Sequence, residues 1–285
     1  MAINLHFFRK NELEKLDFIK VFEFFEEYPN FKIYYGPETV EIVYKDEDFQ
    51  FFYRYLVTKK SRVNMIYKLD PSYGNINFLL ELPVAIPTFL AKEILTITQK
   101  VCKLFDLDIY HDSFDDVKPF NLVDVLVLFE DTRKAYIEEY GIQDKIYMDH
   151  NKLNEICKYQ RSVDSLAEYY HGEVDIPVVN PIIDNISGEN GISCVWKMGK
   201  ASVFPPHVDY VYILDEDDVS FLVRRDDFYT IVDKYLVEIL NFLPDMFIIK
   251  AKDARKVKKV IGKLRKVALV DHNFVQRRLC DYIDR

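Results

Sequence analysis

Near the start of the chain Ile3, Leu5 and Phe7 are separated by Asn4 and His6, and this two-residue period predicts a strand. Asp17 then caps a predicted helix running to about Glu27, with Ile19, Phe22 and Phe25 inward and Pro29 as its stop. Residues 31–35, 39–45, 49–58, 62–68 and 75–82 are short β-rich runs, and turn signals such as Gly36-Pro37 separate them. Runs spaced so closely predict antiparallel hairpins or a meander. Pro87 opens a helix in which Leu90, Ile94, Ile97, Val101 and Leu104 recur at helical spacing, and a further short strand is expected at 108–111.

The middle of the chain reads as helical. Asn121 caps a helix that reaches Tyr140 and ends at Gly141, where a left-handed residue closes many helices. Asp149 caps a second, with Leu153, Ile156, Val163 and Leu166 on one side, ending at His171-Gly172. Beyond it, 174–179, 192–198, 208–214 and 219–223 are candidate strands. A helix capped by Asp226 or Asp227 follows, with Phe228, Ile231, Val232, Tyr235, Leu236 and Ile239 inward. Residues 246–250 form a buried strand, and 252–267 a helix with Val257, Val260, Ile261 and Leu264 inward. Residues 274–284 fit helix or strand.

Strands and helices are grouped rather than alternating as βαβ units, which is the signature of an α+β protein. The expected architecture is mainly antiparallel sheet units with packed amphipathic helices and a central helical hairpin. Three segments are expected: an N-terminal α+β unit at 1–118, a hairpin connector at 119–172, and a C-terminal α+β unit at 173–285.

Composition narrows the functional classes. With 49% hydrophobic residues, the chain has enough apolar material to offset the entropy of ordering it. Only 8 of 285 residues are Gly, and just Gly188 and Gly191 lie close together, among Asn and Ser, so a Gly-rich phosphate loop is not expected. Cysteines 102, 157, 194 and 280 have no metal-knuckle or redox spacing and read as reduced thiols. Neither a secretory signal nor a membrane span is expected, which points to a cytoplasmic protein, and no cofactor is expected because no cofactor motif stands out. The Phe, Tyr, Ile, Lys and Asn usage suits A+T-rich codons, as in a low-GC bacterium. The sum of charges, −9, divides unevenly. Residues 1–249 hold 26 basic and 43 acidic side chains, whereas 250–285 hold 12 and 4.

Candidate chemistry follows from these patterns. Arg255, Lys256, Lys258, Lys259, Lys263, Arg265 and Lys266 lie on one predicted helix, a candidate binding surface for a protein, a nucleic acid or anionic lipid. Asp215, Asp217 and Asp218 stand between two predicted strands, where converging carboxylates can hold a divalent metal or simply make a turn. Asp112, Asp115 and Asp116 beside His111 raise the same alternatives. His207 and Asp209 are expected on one strand face, a candidate acid–base pair. Phe49, Phe51, Tyr53 and Tyr55 alternate with Phe52 and Arg54, which fits a partner-gripping ladder or a strand packed on both sides.

The expected function is non-enzymatic: an acidic body binding a basic protein partner, in the manner of inhibitor or immunity proteins. Two alternatives compete with it, a metal-dependent hydrolase using Asp215, Asp217 and His207, and a nucleic-acid binder using the helix at 252–267.

Overall fold

The structure is a computed structural model that describes residues 2–142, 144–214, 220–240, 242–270 and 272–284. Helices and mostly antiparallel sheets make an α+β protein, as the element order predicts. The chain divides into two compact units, Met1–Tyr147 with Cys280–Ile283, and Met148–Leu279 with Asp284–Arg285.

The first unit contains β1 (Ala2–Lys10), α1 (Phe18–Glu26), β2 (Phe31–Tyr35), β3 (Thr39–Asp46), β4 (Phe51–Thr58), β5 (Tyr73–Pro83), α2 (Thr88–Phe105), β6 (Asp108–Tyr110), β7 (Lys118–Pro119) and α3 (Leu122–Tyr140). The strand β8 (Ile146–Met148) lies at the unit boundary. The strands form one antiparallel sheet in the order β2-β3-β4-β5-β1-β6-β7. Alternation sends Leu5, Phe7, Ile42, Tyr55, Phe78 and Leu80 to one buried face, where Phe25 of α1 meets Tyr55 and Phe31 at centroid distances of 4.8 Å. Much of the aromatic excess is therefore core. The β4 ladder resolves the same way: Phe49, Tyr53 and Tyr55 are buried, while Phe52 on the opposite face is 64% exposed. Helix α2 contacts both β5 and α3, so its buried face is broad and includes Ala91, Leu95, Thr98 and Cys102 as well as the expected Leu90, Ile94 and Val101.

The second unit contains α4 (His150–Tyr169), β9 (Asn180–Asp184), β10 (Asn190–Lys197), β11 (Ser202–Phe204), β12 (Tyr210–Leu214), β13 (Ser220–Arg224), α5 (Arg225–Val232), β14 (Leu236–Glu238), β15 (Phe247–Ile249), α6 (Ala251–Val257), α7 (Ile261–Lys266), β16 (Phe274–Gln276) and β17 (Tyr282–Asp284), the last spanning the boundary between units. Five strands pair in the order β13-β12-β10-β9-β16, with β10 and β12 parallel, and β11, β15 and β14 make a smaller antiparallel sheet. Trp196 is fully buried against Phe228 at 5.5 Å, and its indole N–H donates to the Lys200 carbonyl at 3.3 Å. Gly191 is required where β10 passes Tyr210, because a Cβ there would sit 2.6 Å from the Tyr210 ring.

Several local expectations are corrected. Residues 62–68 are a turn with a short 3-10 stretch at Ile66–Lys68, because Met65 adopts left-handed backbone while Val63 and Leu69 tuck against Phe8 and Tyr110. On α1, Ile19 is 68% exposed, and the buried residues are Val21 and Phe25. Residues 174–179 make only an isolated bridge, Asp175 to Ser202. The helix expected through 239 stops at Val232, since 236–238 pair with β15 instead. Within residues 119–172, α3 belongs to the first unit and α4 to the second.

Candidate functional site

His207 and Asp209 precede β12 rather than sharing a strand face. His207 has left-handed backbone, φ +55°, and its N–H donates to Asp245 Oδ2 at 3.0 Å. Its Nε2 lies 2.6 Å from Glu155 Oε2 on α4, 52 residues away in sequence. Asp209 instead accepts the Ile192 backbone N–H at 2.8 Å and both its carboxylate oxygens lie 3.3 Å from Lys152 Nζ. Lys152 and Glu155 reach these partners together because a three-residue spacing puts them on one helix face. Arg225 completes the cluster through an ion pair with Asp245. The carboxylates thus tie α4, the turn before β12, α5 and the turn before β15 into one framework, in which His207 meets Glu155 and Asp209 meets Lys152. Glu155 and Arg225 carried no signal in the sequence that linked them to His207 or Asp245.

The acidic segments have similar structural occupations. His111 Nδ1 lies 2.8 Å from Ser113 Oγ and accepts the Ser113 N–H at 3.1 Å. Asp116 Oδ1 accepts backbone N–H groups from Asp70 and Val117 at 3.1 and 2.7 Å. Asp184 is an acidic turn residue that the sequence patterns did not single out. Its burial favours protonation, but the Ser187 hydroxyl and the N–H groups of Ile186 and Asn273 stabilise the carboxylate and hold its pKa well below the usual range. Among the described residues, no three His, Cys, Asp or Glu side chains converge as a metal site. Asp215, Asp217 and Asp218 lie outside the described residues.

The basic segment is α6, a 3-10 turn at Lys258–Val260, and α7. Ala254, Val257 and Leu264 are buried, so its apolar side is docked on the second unit's core. Arg255, Lys256, Lys259, Lys263, Arg265 and Lys266 are exposed. Lys258 departs from this set: it is half-buried, and its side chain lies where a Cβ on Gly199 would fall, 2.6 Å from Cε.

A further surface emerges on α3. Asn121 caps this helix by accepting the N–H groups of Val123 and Asp124 at 2.9 and 3.3 Å, and Gly141 ends it at φ +73°. The residues facing the core are Val125, Phe129 and Arg133. Arg133 donates to the Ile86 carbonyl at 3.3 Å and lies over the Phe129 ring. At 100° per residue, the face opposite this stripe carries Val123, Val127, Glu130, Asp131, Lys134 and Glu138. Val123 is 67% and Val127 51% exposed. An inward arginine and outward valines invert the ordinary hydrophobic pattern, which is why periodicity did not reveal this face.

No family model, curated protein or solved structure matches this chain. Among the described residues, no helix is long and apolar enough to cross a membrane.

Proposed function

We propose that the protein is a non-enzymatic binding protein that engages a basic protein partner through the outer face of α3. The observation that carries this reading is the pairing of exposed Val123 and Val127 with three carboxylates, Glu130, Asp131 and Glu138, against one cation, Lys134, on one face of a firmly anchored helix. Two valines a helical turn apart offer an apolar contact that water leaves on binding, and the surrounding carboxylates favour a cationic rim on the partner. Arg133 and the Asn121 cap fix the helix, so little ordering entropy is lost on association. The residues 1–147 that build this unit hold 18 basic and 25 acidic side chains, so long-range attraction acts in the same direction. Inhibitor and immunity proteins that neutralise basic targets use this kind of chemistry.

The test is capture from the native host followed by binding measurements with each purified captured protein. The wild type and a Val127→Lys/Glu130→Lys/Asp131→Lys variant are compared. A basic protein that binds the wild type and loses roughly 100-fold, about 3 kcal/mol, with the variant is the expected result. Captured proteins that bind both forms equally, or an absence of any direct binder, would refute the reading.

A further inference from the structure

The basic segment of the second unit has a geometry that α3 binding leaves unused. Lys252, Arg255, Lys256, Lys259, Lys263 and Lys266 are all exposed, while Ala254, Val257 and Leu264 of the same segment are buried. Arg265 is exposed beside them, whereas Lys258 is half-buried. The stripe runs from residue 252 to residue 266 and so extends about 20 Å. Lys256 is held by Asp253 at 2.8 Å, whereas Lys252, Arg255, Lys259, Lys263 and Lys266 have no ion pair among the described residues. Glu173 and Asp175 line the same hollow of about 510 Å³ as Arg255. The strongest uncompensated charge is therefore at Lys259, Lys263 and Lys266.

We propose that this stripe is a binding surface for the phosphate backbone of a nucleic-acid duplex. Three observations select that ligand over other anions. The apolar face of the segment is already buried in the core, so it cannot insert into a bilayer as an amphipathic helix does. The exposed side chains between 251 and 266 are almost all cationic, without the aromatic or aliphatic anchors that concentrate binding energy in protein interfaces. The same lack of aromatics leaves unpaired bases nothing to stack on, which disfavours single strands. A row of cations along one exposed side of the segment can meet a regular row of phosphates, and these contacts carry no sequence preference. The acidity of the rest of the chain opposes encounter at low salt, but its reach is screened to about 10 Å at 0.1 M salt.

The experiment is fluorescence anisotropy of the full-length chain with a labelled 25-base-pair duplex, as DNA and as RNA, across a salt series. Neutralising three to five phosphates gives a slope of log K against log salt between about −3 and −4.5. Lys259→Glu/Lys263→Glu/Lys266→Glu is expected to weaken duplex binding at least about 30-fold and to flatten that slope by nearly 3. A gentler Lys→Gln set at the same positions guards against misfolding, as do unchanged circular-dichroism melts. Glu130→Lys/Asp131→Lys on α3 should leave duplex affinity undiminished, which separates this surface from the protein-binding one. Binding of either duplex with these dependences supports the proposal. No duplex binding at 50 mM salt, equal binding by the triple variant, or equal affinity for polyglutamate or for phosphatidylserine vesicles would overturn it.

Discussion

His6 lies on β1, opposite Leu79 of β5 and Tyr110 of β6, and is only 6% exposed. Burial lowers its pKa from 6.5 to about 4; Asp112 pulls it up, while His111 and Arg62 push it further down. In the unfolded chain the imidazole binds a proton near pH 6.5, so between pH 6.5 and 4 the unfolded state holds more protons than the folded one. Stability of the first unit is then fully present above pH 6.5, declines as pH falls through this window, and levels off below about 4. At 1.36 kcal/mol per pKa unit the complete loss is about 3 kcal/mol, and roughly 2.4 kcal/mol of it falls between pH 7 and 4.5. That is a large share of the stability of a domain this size. Proton NMR should show the His6 imidazole titrating near pH 4. Hydrogen exchange at the β1 and β5 amides, corrected for intrinsic rates, should show a drop in opening free energy between pH 7 and 4.5. In His6→Gln that drop should be smaller by about 2 kcal/mol, while the contributions of His111 and the carboxylates remain common to both proteins. A His6 titration near 6.5, or parallel pH profiles for the two proteins, would show that burial does not hold His6 neutral in the folded state.

Three further substitutions probe the framework. Thr98 Oγ1 donates to the Ile94 carbonyl at 2.9 Å and accepts from the Tyr55 hydroxyl at 2.9 Å; Thr98→Val leaves that buried hydroxyl unpaired and should cost about 1–3 kcal/mol in urea unfolding. Asn121→Ala removes the α3 cap, with an expected loss of about 1 kcal/mol and faster exchange of the first-turn amides. Gly191→Ala drives a methyl group into the Tyr210 ring and should lower stability of the second unit by about 1–3 kcal/mol, read by Trp196 fluorescence.

What the sequence made legible was what local chemistry decides. Asp17, Asn121 and Asp149 cap the helices expected of them, because a side-chain acceptor beside free N–H groups acts within three residues. The strands 31–35, 39–46 and 51–58 follow from period-two alternation between strong turns. Residues 62–68 have strand-like composition but give up pairing to bury Val63 and Leu69, a choice made by Phe8 and Tyr110 from elsewhere in the chain. Leu104 fitted the α2 stripe yet is exposed, because the helix is buried by the sheet and α3 over a different arc. Site chemistry was less legible still. The partner of His207 is Glu155, brought to it by tertiary packing and by no local spacing. The α3 surface was hidden because periodicity assigns valine inward and arginine outward, and here Arg133 and Val127 do the reverse. The basic helix was visible as a charge run, but the half-burial of Lys258 against Gly199 is seen only once the segment is placed on its core.

Binding of a basic protein partner at the outer face of α3 is open to direct measurement. Its most direct measurement is a hydrogen-exchange footprint of the chain with the purified partner bound. Exchange should slow chiefly in residues 122–140, with 252–266 unchanged, and the footprint should be lost with Val127→Lys/Glu130→Lys/Asp131→Lys. A footprint that spares α3, or that survives the triple substitution, would contradict it.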